Sequence, residues 1–176
     1  GAVGSVAGQI ARIMGCRTVG IAGGADKQED LRDLYRFDEA VDYKTGDLRS
    51  AVKAACPDGV DVYFDNCGGE ISAAVHSRLN IGARIAICGQ VSQYNVERPQ
   101  PTFHPGLLIV VRARMQGFLV SDYAPRFGEA IPRLARWVMN GDIRYRETVT
   151  EGLENAPRAF IGMLNGENRG KALVKL

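Results

Sequence analysis

"GVDVYFDNCGGEISAAVHSRLNIGARIAICGQ", residues 59–90, decides the fold class. "GVDVYFDNCGG" reads as a strand with a polar end, "EISAAVHSRLNIG" as a helix, and "ARIAICGQ" as the strongest strand in the chain. Both strands are too continuously apolar for a sheet with one wet face, so they fit parallel strands covered on both sides. Upstream, "GAVGSVAGQIARIMGC" carries a helical apolar stripe from Val3 to Met14, stopped at Gly15. "RTVGIAGG" reads as a buried strand, "ADKQEDLRDLYRF" as a helix, "EAVDYK" as a weak strand and "GDLRSAVKAAC" as a helix stopped by Pro57. Downstream, "PGLLIVVRARM" reads as helical, "QGFLVSDY" as a strand and "APRFGEAIPRLARWVMNGD" as a long helix bent at Pro132. A polar extended piece, a helix over "ENAPRAFIGMLNG" and a terminal strand "KALVKL" close the chain. Strand and helix alternate at βαβ spacing, which predicts an α/β, Rossmann-type, doubly wound parallel sheet. With no internal repeat and no dividing linker, residues 1–176 are expected to form one domain.

At 176 residues the chain can bury a substantial core, and 45% apolar and 24% charged residues with net charge +2 are ordinary for a globular protein. No basic stripe interleaved with aromatics marks a nucleic-acid surface, and no apolar run reaches membrane-spanning length. Cys16, Cys56, Cys67 and Cys88 show no metal-ligand spacing, so no metal is expected. Reduced thiols in a cytoplasmic protein are the expected state. The chain opens with Gly1, inside a glycine motif, and reads as a fragment.

Ligands of an open α/β sheet bind beyond the carboxyl ends of its strands. The first such end is absent from the sequence, but Gly1, Gly4 and Gly8 fit the loop that would follow it, where glycines let backbone approach a pyrophosphate. That GxxGxxxG spacing fits a ligand-free glycine turn equally well. The next strand end carries Gly23 and Gly24 where an NAD site places an acid, and Lys27 follows in the first helical turn. A cation there opposes the helix dipole, a conflict that a bound 2′-phosphate would offset. A solvated lysine beside Asp26 and Glu29 is the competing reading. Tyr43, at the third strand end, either adds a hydroxyl to that phosphate or is a boundary aromatic. Asn66 precedes Cys67-Gly68-Gly69 and suits either a ribose contact or turn chemistry. Gly89 lets the chain pass close to a flat ring. Neither Cys67 nor Cys88 has a nearby histidine base in sequence, with His76 mid-helix and His104 in a Pro-rich loop. A YxxxK pair is also absent, Arg98 standing four residues after Tyr94.

The ordered series "GAVGSVAGQIA", "GCRTVGIAGG", "DYK", "PDGVDVYFDNCGGE", "RIAICGQVSQYN", "RARMQGFLV" and "EGLENAPRAFIGMLNGENRGK" resembles the cofactor-binding half of medium-chain dehydrogenase/reductases. The branch is the zinc-independent one of prostaglandin reductase (leukotriene B4 12-hydroxydehydrogenase), plant double-bond reductases and curcumin/alkenal reductases. The resemblance implies NADP(H) as cofactor and reduction of the C=C bond of α,β-unsaturated ketones and aldehydes. It implies a pyrophosphate loop at Gly1, Ala2, Val3 and Gly4, and a 2′-phosphate pair Lys27 and Tyr43 beside Gly24. Asn66 is implied to contact the nucleotide, and Cys88, Gly89, Ser92 and Tyr94 to line the nicotinamide ribose. Phe118, Leu119 and Val120 would meet the carboxamide by backbone, and Asn168 would fold back onto the cofactor. Tyr94 is the residue implied to reach the substrate and act in catalysis. By the same resemblance, the first strand of the sheet and an N-terminal catalytic domain are lacking, and residues 168–176 return toward that domain. Loss of a central strand should expose its neighbours, and turnover by this piece alone is not expected. A homodimer through the strand around Gly117–Val120 is also implied. The alternatives are a non-catalytic NADP-binding or crystallin-like module, or a quinone oxidoreductase.

Overall fold

The computed structural model describes residues 1–98 and 105–176; the expectations for His104 and the Pro-rich loop fall on residues 99–104, outside the described residues. The elements are α1 (Ala2–Ile13), β1 (Val19–Ala22), α2 (Ala25–Glu29), β2 (Glu39–Asp42), α3 (Leu48–Ala55), β3 (Val60–Asp65), α4 (Gly69–His76) and β4 (Leu79–Ile87). They continue with α5 (Pro105–Val111), β5 (Arg114–Gly117), α6 (Phe127–Met139), β6 (Glu147–Glu151), α7 (Ala156–Leu164) and β7 (Lys171–Lys175). A π-helical stretch, Asp30–Leu34, extends α2, and a 3₁₀ turn covers Val91–Gln93. No helix among the described residues is long and apolar enough to cross a membrane.

Every strand pair is parallel, in the groups β1-β2, β3-β4-β5 and β6-β7. This is the expected Rossmann-type architecture, with the ladder interrupted between β1 and β3. Among the described residues, one edge of β1 and one edge of β3 have no ladder partner. The two groups are joined beneath the gap. Val52 and Ala55 of α3 and Ala74 and Val75 of α4 form a core cluster with Val41, against which Val19 and Ile21 of β1 and Val60 and Tyr63 of β3 pack. A second cluster, Leu79, Ala83 and Ile85, is covered by Leu107, Leu108 and Val111 of α5.

Several boundaries differ from the sequence reading, among them the helix expected over 105–115, which stops at Val111 before β5 begins at Arg114. The helix expected over 70–82 ends at His76, because Leu79 already pairs with Val60 and extends β4. The strand expected over 116–123 ends at Gly117, because the Asp122 carboxylate accepts the Leu119 N–H (3.1 Å) and turns the chain into a 3₁₀ segment, Val120–Arg126. The long helix therefore starts at Phe127, with Pro132 inside it.

The buried face of α1 is also unlike its apolar stripe. Ser5 and Gln9 are buried, while Val3 and Met14 are exposed. Gln9 bolts the helix to the segment before β6: its Nε2 donates to the Arg144 carbonyl (2.9 Å) and its Oε1 accepts the Arg144 N–H (2.7 Å). A buried amide with both ends paired is stable where an unpaired one is not. Gly8 is a packing position, not part of a phosphate loop. A Cβ there would lie 2.0 Å from Cζ of Phe37, whose ring also lies against Gly20. Gly8→Ala is expected to destabilise the protein by about 1–3 kcal/mol through overpacking, outweighing the ~1 kcal/mol that Ala adds in a helix. A lower thermal midpoint checks it; an unchanged or higher one refutes the packing role.

Candidate cofactor site

The rim of β1 and β2 builds a cationic corner. Gly24 has φ +96°, a left-handed conformation that glycine adopts without strain, and it opens α2. Asp42, the last residue of β2, fixes that turn by accepting the Gly24 N–H (3.1 Å), and its other oxygen accepts the Lys44 N–H (2.9 Å). The acid at this end is thus consumed by backbone. Gly23 lies under two side chains: a Cβ there would meet Cζ of Tyr43 and Cε of Lys44, each at 2.8 Å. Burial, and then the charge of Lys44, holds the Lys27 ammonium below the ordinary lysine range. Lys27 donates to the Gly166 carbonyl. Tyr43 and Lys44 thus pack over Gly23, and Lys27, whose ammonium feels the Lys44 charge, lines the cleft beside Gly24, a donor set suited to a phosphate dianion. Gly23, Gly24 and Lys27 line an open cleft of ≈ 310 Å³ together with Asp26, Glu167 and Arg169.

Asp26 of α2 lines this cleft, whereas Asp30, at the start of the π-helical stretch, is buried and paired. Arg169 grips Asp30 with two hydrogen bonds, Nε to Oδ2 at 2.8 Å and Nη2 to Oδ1 at 2.7 Å. Arg146 adds a third contact at 3.1 Å. The hydrogen bond from Arg169 is the main reason the Asp30 carboxyl, 5% exposed, sits below the usual carboxylate range.

The ends of β3 and β4 make the second cluster. Asp65, 5% exposed, accepts the N–H groups of Cys67 and Gly68 (2.9 Å each) and the Ser72 hydroxyl (2.5 Å). This carboxylate folds the Asn66–Gly69 turn onto the start of α4. The turn is zipped to the loop after β4: Val91 N–H donates to the Asn66 carbonyl (3.2 Å), and Ser92 donates to the Cys67 carbonyl from both its backbone (3.0 Å) and its hydroxyl (2.7 Å). Asn66 and Tyr94 then converge over Gly89, where a Cβ would lie 2.6 Å from Oδ1 of Asn66 and 3.2 Å from the Tyr94 hydroxyl. Burial, and then the Asp65 charge, pushes the Cys67 thiol up, so it is not poised as a thiolate nucleophile.

The two clusters are bridged by the N-terminus of α1. The Gly1 nitrogen lies within electrostatic reach of both Lys27 and Cys67. Ala2, Val3 and Gly4 are the first turn of this helix, not a loop before it, and the space where Cβ atoms of Gly1 and Gly4 would point is open. Helix N–H groups presented to open space form an anion site. Phe118 donates its N–H to the Ile87 carbonyl (3.4 Å), and its ring meets Phe64 at a tilt and Tyr123 edge-to-face. Leu119 and Val120 are exposed just beyond it. Asn168 turns its amide to the Gly170 carbonyl (2.7 Å), within its own turn. Lys44, Asp65 and Arg169 were not singled out in the sequence. Lys44 directly follows Tyr43 in "DYK" and could have been read with it, whereas Arg169 lies 139 residues from Asp30.

These features define a nucleotide-binding α/β domain of the dehydrogenase type. The chain belongs to the zinc-binding dehydrogenase family, whose pattern matches residues 2–136. It is 48% identical to prostaglandin reductase 1 of Rattus norvegicus over 178 residues, covering 99% of this chain and 54% of that protein. It is 42% identical over 175 residues to the 2-alkenal reductase (NADP(+)-dependent) of Nicotiana tabacum, covering 99% of this chain and 51% of that protein. The crystal structure of CurA from Vibrio vulnificus in complex with NADPH superposes with TM-score 0.94 at 44% identity, covering 99% of this chain and 54% of that one. These relatives bear out the zinc-independent reductase branch to which the sequence pointed. The chain spans about half the length of the curated relatives it matches. Despite the family's description, the described residues offer no group of three His, Cys, Asp or Glu that fits a metal ion. Cys56 lies in the core and Cys16 on the surface at the end of α1.

Proposed function

We propose that this chain holds NADPH along the carboxyl-side rim of its sheet, and that the protein reduces the conjugated C=C bond of enones and enals. The single observation that carries the cofactor reading is the gathering of Lys27, Lys44 and Tyr43 around Gly23 and Gly24, with the strand-end acid Asp42 turned into backbone. Lys27, Lys44 and Tyr43 hold the 2′-phosphate; the first turn of α1, from Gly1 to Gly4, receives the pyrophosphate. Asn66, Cys88, Gly89 and Ser92 border the nicotinamide ribose, largely through backbone, and the Phe118–Val120 segment borders the ring. Asn168 closes the site from the last turn. All 176 residues act as this one domain, with 168–176 reaching toward the substrate-binding part of the protein.

NADPH, when bound, supplies a hydride for the β-carbon of the substrate; a proton from solvent completes the α-carbon. The chain's task is to place the reactants and to stabilise negative charge on the carbonyl oxygen. The Tyr94 hydroxyl, beside Asn66 over Gly89, is suited to donate a hydrogen bond there. The names of the prostaglandin reductase and 2-alkenal reductase relatives support this substrate class. Four free cysteines suit the reducing cytoplasm, and the edge of β5 (Arg114–Gly117) that has no ladder partner among the described residues suits subunit pairing.

The test is oxidation of NADPH by the intact protein with a 2-alkenal, followed by absorbance. Turnover with NADPH well above NADH is expected. Tight NADPH binding with no enone-dependent oxidation would replace this reading with a nucleotide-binding module that does not catalyse.

A further inference from the structure

We propose that Arg169 is a positioning residue for the phosphorylated ribose: by clamping the Gly166–Gly170 turn onto α2 it sets the place of the Lys27 ammonium and masks the acids beside it. The inference rests on the NADPH reading above. Three acids, Asp26, Glu29 and Asp30, lie within six residues after Gly24, against one cation there, Lys27. Uncompensated, they would repel a 2′-phosphate across an open cleft. Arg169 reaches all three: two bonds to Asp30, one contact to Asp26 Oδ2 at 3.3 Å and one to Glu29 Oε2 at 3.8 Å. Its Nη2 also donates to the Asp26 carbonyl at 3.1 Å. A guanidinium fork can serve several oxygens at fixed angles, which an ammonium cannot.

The same turn holds Lys27 directly, because the Gly166 carbonyl accepts its ammonium. A carbonyl can be released for phosphate at small loss, since the charged oxygen is the stronger acceptor. Arg169, its guanidinium engaged with Asp26, Glu29 and Asp30, thus fixes the platform from which Lys27 reaches the phosphate. Nothing local in the sequence marks this, as Arg169 and Asp30 are 139 positions apart.

Dissociation constants for NADPH and NADH, with thermal midpoints, measured on the intact Arg169→Leu, Arg169→Lys and Arg169→Gln variants test it. Arg169→Leu is expected to weaken NADPH about tenfold and NADH by less than about twofold, because only NADPH carries the extra charge. Arg169→Lys, which keeps the charge without the fork, should recover part of the selectivity that Arg169→Gln loses. This pair decides the matter if the Leu variant does not fold. Equal losses for both cofactors, or unchanged selectivity in every variant, overturn the proposal and leave Arg169 a purely structural clamp. Lys27→Ala measured alongside separates the two readings. If it lowers selectivity while the Arg169 variants do not, only this inference fails; if neither does, the NADPH assignment fails with it.

Discussion

Replacing Lys27 with Ala is expected to weaken NADPH binding by about 10- to 100-fold while changing NADH binding by no more than about threefold. The range follows from about 1.5–3 kcal/mol for a hydrogen bond to a charged group, at tenfold per 1.4 kcal/mol. The cleft is open, so solvent screening keeps the effect below that of a buried pair. The 2′-phosphate is the only group distinguishing the two cofactors, and Lys27 and Lys44 are the cations gathered beside Gly23 and Gly24. Their mutual repulsion, which helps hold the Lys27 ammonium below its ordinary range, is relieved when an anion sits between them. Lys44→Ala should therefore shift the same ratio in the same direction, by a smaller factor. Raising salt should compress the NADPH preference of the natural protein more than that of Lys27→Ala. Fluorescence titrations with both cofactors measure all of this. If Lys27→Ala weakens NADH as much as NADPH, the ammonium does not contact the 2′-phosphate.

The second large effect concerns Gly89. Its φ lies outside the left-handed region, so Ala is acceptable to the backbone there. The obstacle is at the site: a new Cβ would stand 2.6 Å from Asn66 Oδ1 and 3.2 Å from the Tyr94 hydroxyl. Both are ends of side chains that can move, so the fold should survive. The arrangement of Asn66 and Tyr94 should not. Gly89→Ala is expected to lower kcat/KM for an enone by about 10- to 100-fold, since displacement of about 1 Å at a reacting centre costs that much. The thermal midpoint should stay within about 3 °C of the natural protein, the shift of a ΔΔG under ~1 kcal/mol. Activity near the natural level would show that Asn66 and Tyr94 do not act together. A loss that tracks a large fall in midpoint would place Gly89 with the packing glycines, such as Gly8.

Much of this was legible in the sequence because it rests on local rules. The βαβ pattern of residues 59–90 needs only apolar continuity and a helical interval, and both strands and the helix are present. Gly23-Gly24 and Lys27 were readable because a strand end, a glycine pair and a helix start are contiguous in the chain. The helix boundary at His76 and the strand end at Gly117 were not readable. Each was decided by a specific partner, the Val60 strand in one case and the Asp122 carboxylate in the other.

What the chain determines by itself, then, is the order and type of its elements, the family they spell and the glycine-rich, polar strand ends, since these follow from periodicity and adjacency. Tertiary structure alone decided that Gly8 serves Phe37, that α1 buries Ser5 and Gln9, that Asp42 is spent on backbone and that Lys44 and Arg169 belong to the Lys27 corner. The physical reason is range. Hydrogen bonds and ion pairs require atoms within a few ångströms, and for Arg169 and Asp30 the fold supplies that closeness across 139 positions of chain.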